Sequence, residues 1–161
     1  MNIETETMID ADMRIRWGIK RDMNEVLTIE NECFAYPWSE SDFDTTLRQR
    51  NCIIKVVEIA DCIASYAVYE LNPRSYRLLN FAVRADLHRR GVGSQFLTYL
   101  KGKLNVKRPV MLADVWDRNL CGQLFFRSQG FRAVGIVAGK YRQNADDAYR
   151  FRYLMPVCEG K

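Results

Sequence analysis

The sequence predicts an α+β domain, a mixed and mostly antiparallel sheet of about seven strands flanked by about four helices. Three observations predict it. Short apolar runs rich in branched residues recur at Cys52–Ile59, Cys62–Leu71, 76–83 and Val110–Trp116, the composition of buried strands. Beside them lie segments whose apolar residues return every three or four positions, the spacing of one helix face. Residues 78–100, LLNFAVRADLHRRGVGSQFLTYL, join the two kinds: an apolar run, a short basic loop with two glycines, then a helical pattern. At 161 residues the chain is long enough for one real core and not for two.

In chain order, residues 1–12 are polar, with Glu4, Glu6, Asp10 and Asp12, and are expected to form a flexible N-terminal arm ahead of a single domain over 13–157. Met13, Ile15, Trp17 and Ile19 alternate with Arg14, Arg16 and Lys20, as in a half-buried strand. Asp22 followed by Glu25 has the spacing of a capping box for a helix whose Met23, Val26, Ile29 and Cys33 share a face. That helix is expected to fail at Tyr36, because a residue before proline avoids the α region. Ser39 can cap a second short helix, with Phe43 and Leu47 one turn apart. Ala60-Asp61 suggests a hairpin between two strands, and Asn72-Pro73-Arg74 a turn into the next. A helix starts at the glycines, placing Val92, Phe96, Tyr99, Leu100 and Leu104 on one face, and Pro109 separates it from the strand Val110–Trp116. Asn119 opens a further helix that Gly130 closes. Two final strands, 131–138 and 148–156, are expected around a polar loop at 139–147.

Hydrophobic residues at 48% and charged residues at 27% are those of a soluble globular protein. No apolar run approaches a membrane span, and the N-terminus lacks the basic-then-apolar pattern of a signal peptide; a cytoplasmic protein with no membrane partner is expected. Five cysteines without CxxC spacing, Cys33, Cys52, Cys62, Cys121 and Cys158, point to free thiols. His88 is the only histidine, so no His-based metal site is expected. The formal charge of +4 suits an anionic cofactor and falls short of a nucleic-acid-binding signature.

The chemistry concentrates at the glycine loop. Gly91 and Gly93 let the backbone turn tightly and approach a ligand. The first amides of the following helix lack internal partners and, with the helix dipole, favour an anion. Arg89 and Arg90 add guanidinium groups suited to phosphate. The expected ligand is a phosphate or pyrophosphate. A dinucleotide fingerprint competes for the same pattern, with Asp114 near the expected acidic position, but Phe96 stands where the third glycine belongs. Asp114, inside a strand, is either a residue of the solvated face or a general base.

The segment HRRGVGS after LLNFAV resembles the acyl-CoA loop of the GCN5-related N-acetyltransferases (GNAT), with His88 where that family usually carries Gln or Arg. Residues 32–43 (ECFAYPWSESDF), 112–119 (LADVWDRN) and 124–131 (LFFRSQGF) resemble, in the same order, the bacterial ribosomal-protein-alanine N-acetyltransferase subgroup, and the likeness covers about residues 14–155. The resemblance implies a GNAT-like single domain that uses acetyl-CoA. Its acceptor would be a protein N-terminus, or alternatively a small amine or lysine side chain; a third reading is an acyl-CoA-binding module without turnover. A monomer or homodimer without direct nucleic-acid binding is expected.

By the same resemblance Asp114 takes the position of the catalytic base. The backbone of Phe81, Ala82 and Val83 would orient the pantetheine arm and polarise the thioester. Arg89, Arg90, Gly91, Val92, Gly93 and Ser94 would hold the pyrophosphate. Asn119 would contact the cofactor or simply cap its helix. Tyr36, Pro37 and Trp38 would form one wall of the acceptor groove, or a rigid aromatic corner. Where the family commonly places a tyrosine acid this chain has Phe126, which has no proton to give. Tyr141 is the candidate substitute, the alternative being a loop aromatic that closes the channel. His88 either meets a phosphate or is a solvated side chain.

Overall fold

The computed structural model describes residues 12–141 and 146–157. Seven strands form one sheet in the order β1-β2-β3-β4-β5-β7-β6, with four α-helices among the described residues. The strands are β1 Arg14–Trp17, β2 Cys52–Ile59, β3 Cys62–Leu71, β4 Ser75–Val83, β5 Val110–Trp116, β6 Arg132–Tyr141 and β7 Asp146–Leu154. The helices are α1 Met23–Cys33, α2 Glu40–Leu47, α3 Val92–Lys101 and α4 Leu120–Ser128. The chain divides into two compact units, one running to Tyr69 and including Asn80–Phe96, the other made of Glu70–Leu79 and the residues from Leu97 on. The expected arm lies almost wholly outside the described residues, as do Cys158 and residues 142–145 of the expected polar loop. No helix among the described residues is long and apolar enough to cross a membrane.

In the first unit, β1 runs antiparallel to β2, with Arg14 opposite Glu58 and Trp17 opposite Lys55. Ala60 and Asp61 both adopt positive φ, 50° and 61°, so the β2–β3 hairpin has the backbone of a type I′ turn, whose twist matches that of the strands. Ser39 caps α2 as its sequence suggests: its Oγ accepts from Asp42 N–H at 3.2 Å while Asp42 accepts from Ser39 N–H at 2.7 Å. Val26, Ile29, Phe43, Val56, Ile63 and Tyr66 are buried. Burial of each such apolar side chain contributes roughly 2 kcal/mol.

The expected capping box of α1 does not form. Asp22 instead receives Arg16 through both guanidinium nitrogens, at 2.7 and 2.9 Å, together with the Ile19 amide at 2.8 Å. Glu25 turns away to accept Ile63 N–H at 2.8 Å. A bidentate ion pair is stronger than a neutral cap contact, and it holds Asp22 on the 3-10 turn Lys20–Asp22 that precedes the helix. The helix also ends at Cys33, with Phe34 extended at φ −122°, two residues before the point at which Pro37 would have stopped it.

In the second unit, β4 pairs in parallel with β5 from Ser75 opposite Val110 to Leu78 opposite Ala113, and β7 pairs antiparallel with both β5 and β6. Residues alternate along β5: Met111, Ala113 and Val115 are buried, while Val110, Leu112, Asp114 and Trp116 face the more open side. The buried side meets aromatic rings, with Phe126 5.1 Å from Phe131 and 6.3 Å from Phe151 between centroids. Gly130 closes α4 at φ +86°, the left-handed C′ position anticipated for it. The last two strands reach further than expected: β6 runs on through two register irregularities to Tyr141, and β7 begins at Asp146. Tyr141 therefore belongs to a strand end rather than to a loop.

Candidate active site

The end of β4 is tied down by side chains. The Ala82 carbonyl accepts from Ser65 Oγ at 2.7 Å. The Val83 carbonyl accepts from the Cys33 thiol at 3.2 Å and lies 2.6 Å from His88 Nε2. A carbonyl only accepts, so Nε2 carries a proton and donates. His88 is thus a tether between the loop and the strand end rather than a freely solvated ring. Burial, with the charges of Glu32 and Glu30, pushes the Cys33 thiol up to about 11, which keeps it a donor and not a nucleophile.

Beyond the strand, Arg84 grips Asp86 at 2.6 Å and the 3-10 turn Ala85–Leu87 anchors on buried Leu87. Arg89 (φ +60°) and Gly91 (φ +84°) then make the left-handed turns that start α3. Gly93 is not among the positive-φ residues; it lies in the first turn of the helix, so the tight turn expected of two glycines is made by Arg89 and Gly91. Gln95 N–H bonds the Gly91 carbonyl at 3.0 Å, and the helical ladder leaves the preceding amides to other acceptors. Arg89, Arg90 and Gly91 are exposed, Val92 is buried, and Ser94 is half-buried. The Phe81 ring stacks on Phe96 at 5.6 Å, fixing the helix against its own strand. A Cβ built at Gly91 meets only Gln95 Nε2, at 3.9 Å, so the space in front of this turn is open. These features fit a phosphate.

The aromatic elbow rests on a carboxylate. Glu30, 1% exposed, accepts from Trp38 N–H at 2.7 Å, from Asn80 Nδ2 at 2.8 Å and from the Tyr66 hydroxyl. Burial raises its carboxyl above the usual range, against the opposing effect of these three donors. Trp38 stands edge-on to Phe43 at 5.2 Å and Phe43 to Tyr66 at 5.9 Å. Tyr36 and Trp38 are half-buried, with Pro37 exposed between them.

In the second unit the Asp114 side chain is 1% exposed and clamped by three cations. Arg150 donates through Nε at 2.8 Å and Nη2 at 3.0 Å, Lys140 at 2.8 Å and Arg77 at 2.9 Å. Burial alone would raise the carboxyl, but the hydrogen bonds of Arg150 and Lys140, with Arg77, outweigh it and hold Asp114 far below the usual carboxylate range. A group so held has little affinity for a proton, which works against the base role expected of it. Lys140 is itself kept below the ordinary lysine value, by burial first and then by the charges of Arg77 and Arg150, with Asp114 opposing.

Asp114→Asn is expected to cost about 2 kcal/mol, less than a fully buried pair because the three cations keep about a third of their exposure. The depressed folded pKa fixes the sign. The contribution is complete above the unfolded value of about 3.9 and is lost as pH falls through the folded one. Urea unfolding should show a constant gap between wild type and variant from neutral pH down to about 5, closing only in stronger acid.

Tyr141 stands 6.2 Å from Trp116, edge to face, and Trp116 Nε1 donates to Asp146 at 2.9 Å. Burial, then the charge of Asp114, raises the Tyr141 phenol, so it keeps its proton through the neutral range. Asn119 caps α4, its Oδ1 accepting Gly122 N–H at 2.9 Å. A Cβ at Gly122 would fall 2.7 Å from Asn119 Nδ2, so the cap needs the glycine. Phe126, 7% exposed, packs in the aromatic core. Among the described residues, Asp117 Oδ1 is the one buried side-chain oxygen without a hydrogen-bond partner.

The first unit thus holds Tyr36, Pro37, Trp38, Phe81, Ala82, Val83 and the loop from Arg89 to Ser94, and the second holds Asp114, Asn119 and Tyr141. Sequence reasoning did not single out Glu30 or the three cations on Asp114. Glu30 carried a signal, since it falls on the apolar face of α1 beside Val26, Ile29 and Cys33. The partners of Asp114 carried none, because they depend on strand register.

Residues 23–131 match the model of the acetyltransferase (GNAT) family. The chain is 29% identical over 130 residues to the [ribosomal protein bS18]-alanine N-acetyltransferase of Salmonella typhimurium, spanning 79% of this chain and 87% of that protein. It is similar to the crystal structure of the ribosomal-protein-S18-alanine N-acetyltransferase from Escherichia coli, with a TM-score of 0.78 at 22% identity over 92% of this chain and 98% of that one. It is also similar to Arabidopsis thaliana NAA60 in complex with acetyl-CoA, with a TM-score of 0.75 at 12% identity over 89% and 99% of the two chains.

Proposed function

The chain belongs to the acetyltransferase (GNAT) family, and we propose that residues 13–157 transfer the acetyl group of acetyl-CoA directly to an amine. The preferred acceptor is the α-amino group of a ribosomal protein that begins with alanine, and the setting is the cytoplasm. The observation that carries this reading is the left-handed turn at Gly91, opening onto the start of α3 beside Arg89 and Arg90. That cradle is open where a Cβ would stand and lined with donors, as a pyrophosphate needs.

Acetyl-CoA, when bound, supplies a thioester carbonyl for the amine to attack and a thiol as leaving group. Arg89, Arg90 and the amides of Val92, Gly93 and Ser94 hold the pyrophosphate. The backbone from Phe81 to Val83 would orient the pantetheine arm and polarise the carbonyl, through the Phe81 and Val83 N–H groups that point away from β3 while Ala82 faces it, and the tethers on the Ala82 and Val83 carbonyls keep that backbone rigid. Asn119 caps α4 and offers its Nδ2 to the cofactor. Tyr36, Pro37 and Trp38 form a wall for the acceptor. Tyr141 retains its proton and would give it to the departing thiolate, the proton that the acceptor nitrogen loses on becoming an amide passing through solvent to restore the phenol. Asp114 is a positioning residue that fixes Lys140, Arg77 and Arg150. The acceptor's own α-amine, with a free pKa of about 8, supplies a neutral fraction near neutral pH without a strong base.

The test is thiol release from acetyl-CoA across alanine-starting peptides and polyamines, with acetyl-CoA binding followed by calorimetry. Release that depends on an alanine-starting peptide is expected, rising with pH through about 8. Asp114→Asn should lower turnover by less than about tenfold, whereas a lost base would cost on the order of 100-fold or more. Release with polyamines alone would move the acceptor to small amines. Binding without release would make this chain an acyl-CoA-binding module, the outcome that Phe126 in its aromatic cluster favours.

A further inference from the structure

We propose that the open face of the sheet around Asp114 selects an acidic acceptor: a polypeptide N-terminus in which the residues after the reacting one carry carboxylates. This rests on the amine-acceptor reading above and names the substrate class for it. Strand register sets Arg77, Leu112, Arg152 and Arg132 opposite one another across β4, β5, β7 and β6, and sets Asp114 opposite Arg150 two residues along. Directly opposed residues share a face of a sheet, and residues two apart on one strand do as well. Lys140 reaches the same carboxylate. Three cations therefore hold Asp114, and Arg152 and Arg132 extend the same basic face across β7 and β6.

The anion does not neutralise the face toward solvent. Asp114 is 1% exposed, while Arg77, Lys140 and Arg150 keep 33%, 31% and 33% of their side-chain exposure. Arg132 and Arg152 are exposed. Five cations against the two carboxylates of Asp114 and Asp146 leave this face with an excess of positive charge. The opposite face of the same strands is the apolar core of Met111, Ala113, Val115 and Phe151, so the cations have only one side on which to act.

The hairpin end carries two aspartates, of which Asp146 lies 3.9 Å from Arg118. Asp146 accepts from Trp116 Nε1, and Asp147 accepts Gly139 N–H at 2.8 Å and gives its carbonyl to Asp117 N–H. A basic face complements carboxylates that follow the reacting amino group of an acceptor. Four strands span roughly 15 Å at about 4.8 Å each, the length of a few residues of extended peptide. A nucleic-acid backbone, negative throughout, would have the aspartates against it.

The experiment uses the full chain with acetyl-CoA and three peptides that begin Ala-Glu-Glu, Ala-Gly-Ser and Ala-Lys-Lys. The expected order of kcat/KM is acidic, neutral, basic, with the acidic peptide ahead of the basic one by at least about tenfold and the difference shrinking as salt is added. Arg132→Glu combined with Arg152→Glu should abolish or reverse the order. Lys107→Glu combined with Arg127→Glu makes the same charge change at exposed positions off this face and should preserve it. All four sites are exposed, and thermal unfolding of each variant checks that it folds. Equal use of the three peptides would overturn this inference and leave amine acetylation standing. Release with none of them, despite acetyl-CoA binding, would overturn both. A preference for single-stranded RNA over the acidic peptide in competition for this face would also overturn it.

Discussion

Replacing Gly91 with aspartate is expected to lower acetyl-CoA affinity by at least about 100-fold while leaving the chain folded. Two effects act together. Gly91 holds φ +84°, where a residue with a Cβ is strained by roughly 1–2 kcal/mol. The new carboxylate would also stand between Arg89 and Arg90 and the first amides of α3, occupying as a fixed anion the place where the pyrophosphate should sit. Crowding in the free protein is not the cause, since the nearest atom to a Cβ there is the flexible end of Gln95 at 3.9 Å. Gly91→Ala separates the effects: it carries the strain without the charge and should bind only about tenfold more weakly. Calorimetry of the two variants beside thermal unfolding makes the comparison. Affinity within threefold of wild type in Gly91→Asp would remove the pyrophosphate from this loop.

That loop was legible in the sequence because its information is local. An apolar run, two arginines and a glycine before a helical period specify a strand, a turn and a helix start without reference to distant residues. The same holds for the Ser39 cap, the Ala60-Asp61 hairpin and the Gly130 terminator, each set within four or five residues. What was not legible depends on register. Asp22 looked like the cap of α1 because Glu25 follows at the right interval, but the pairing of β1 with β2 brings Arg16 between Asp22 and Glu58, both at 2.8 Å or less, and the ion pair prevails. Asp114 was open to two readings as an acid inside a strand and took the base position only by resemblance, and only the pairing of β5 with β7 shows Arg150 directly opposite it. Gly93 was read as a second turn glycine, but its φ is decided by where α3 begins, one residue before it.

Glu30→Ala is expected to destabilise the fold by about 3 kcal/mol, because it strips an acceptor from three buried donors and leaves a cavity. The loss falls unevenly. Tyr66 Oη lies 3.5 Å from Asn80 Oδ1, so these two can turn toward each other, but the Trp38 amide is fixed by its backbone. The elbow should therefore loosen, and the acceptor KM should rise more than the KM for acetyl-CoA. Glu30→Gln keeps the volume and removes the charge, with one acceptor oxygen becoming a donor that Tyr66 and Asn80 must turn to meet. The folded pKa of Glu30 is raised by burial, so its contribution to stability is complete below the unfolded value of about 4.3 and is lost as pH rises through the folded one. Wild type should accordingly lose ground to Glu30→Gln as pH rises from about 4 toward neutrality. A gap between these two proteins that stays flat in urea unfolding across that range would mean that Glu30 is ionised at no net cost, its three neutral donors alone balancing the buried charge.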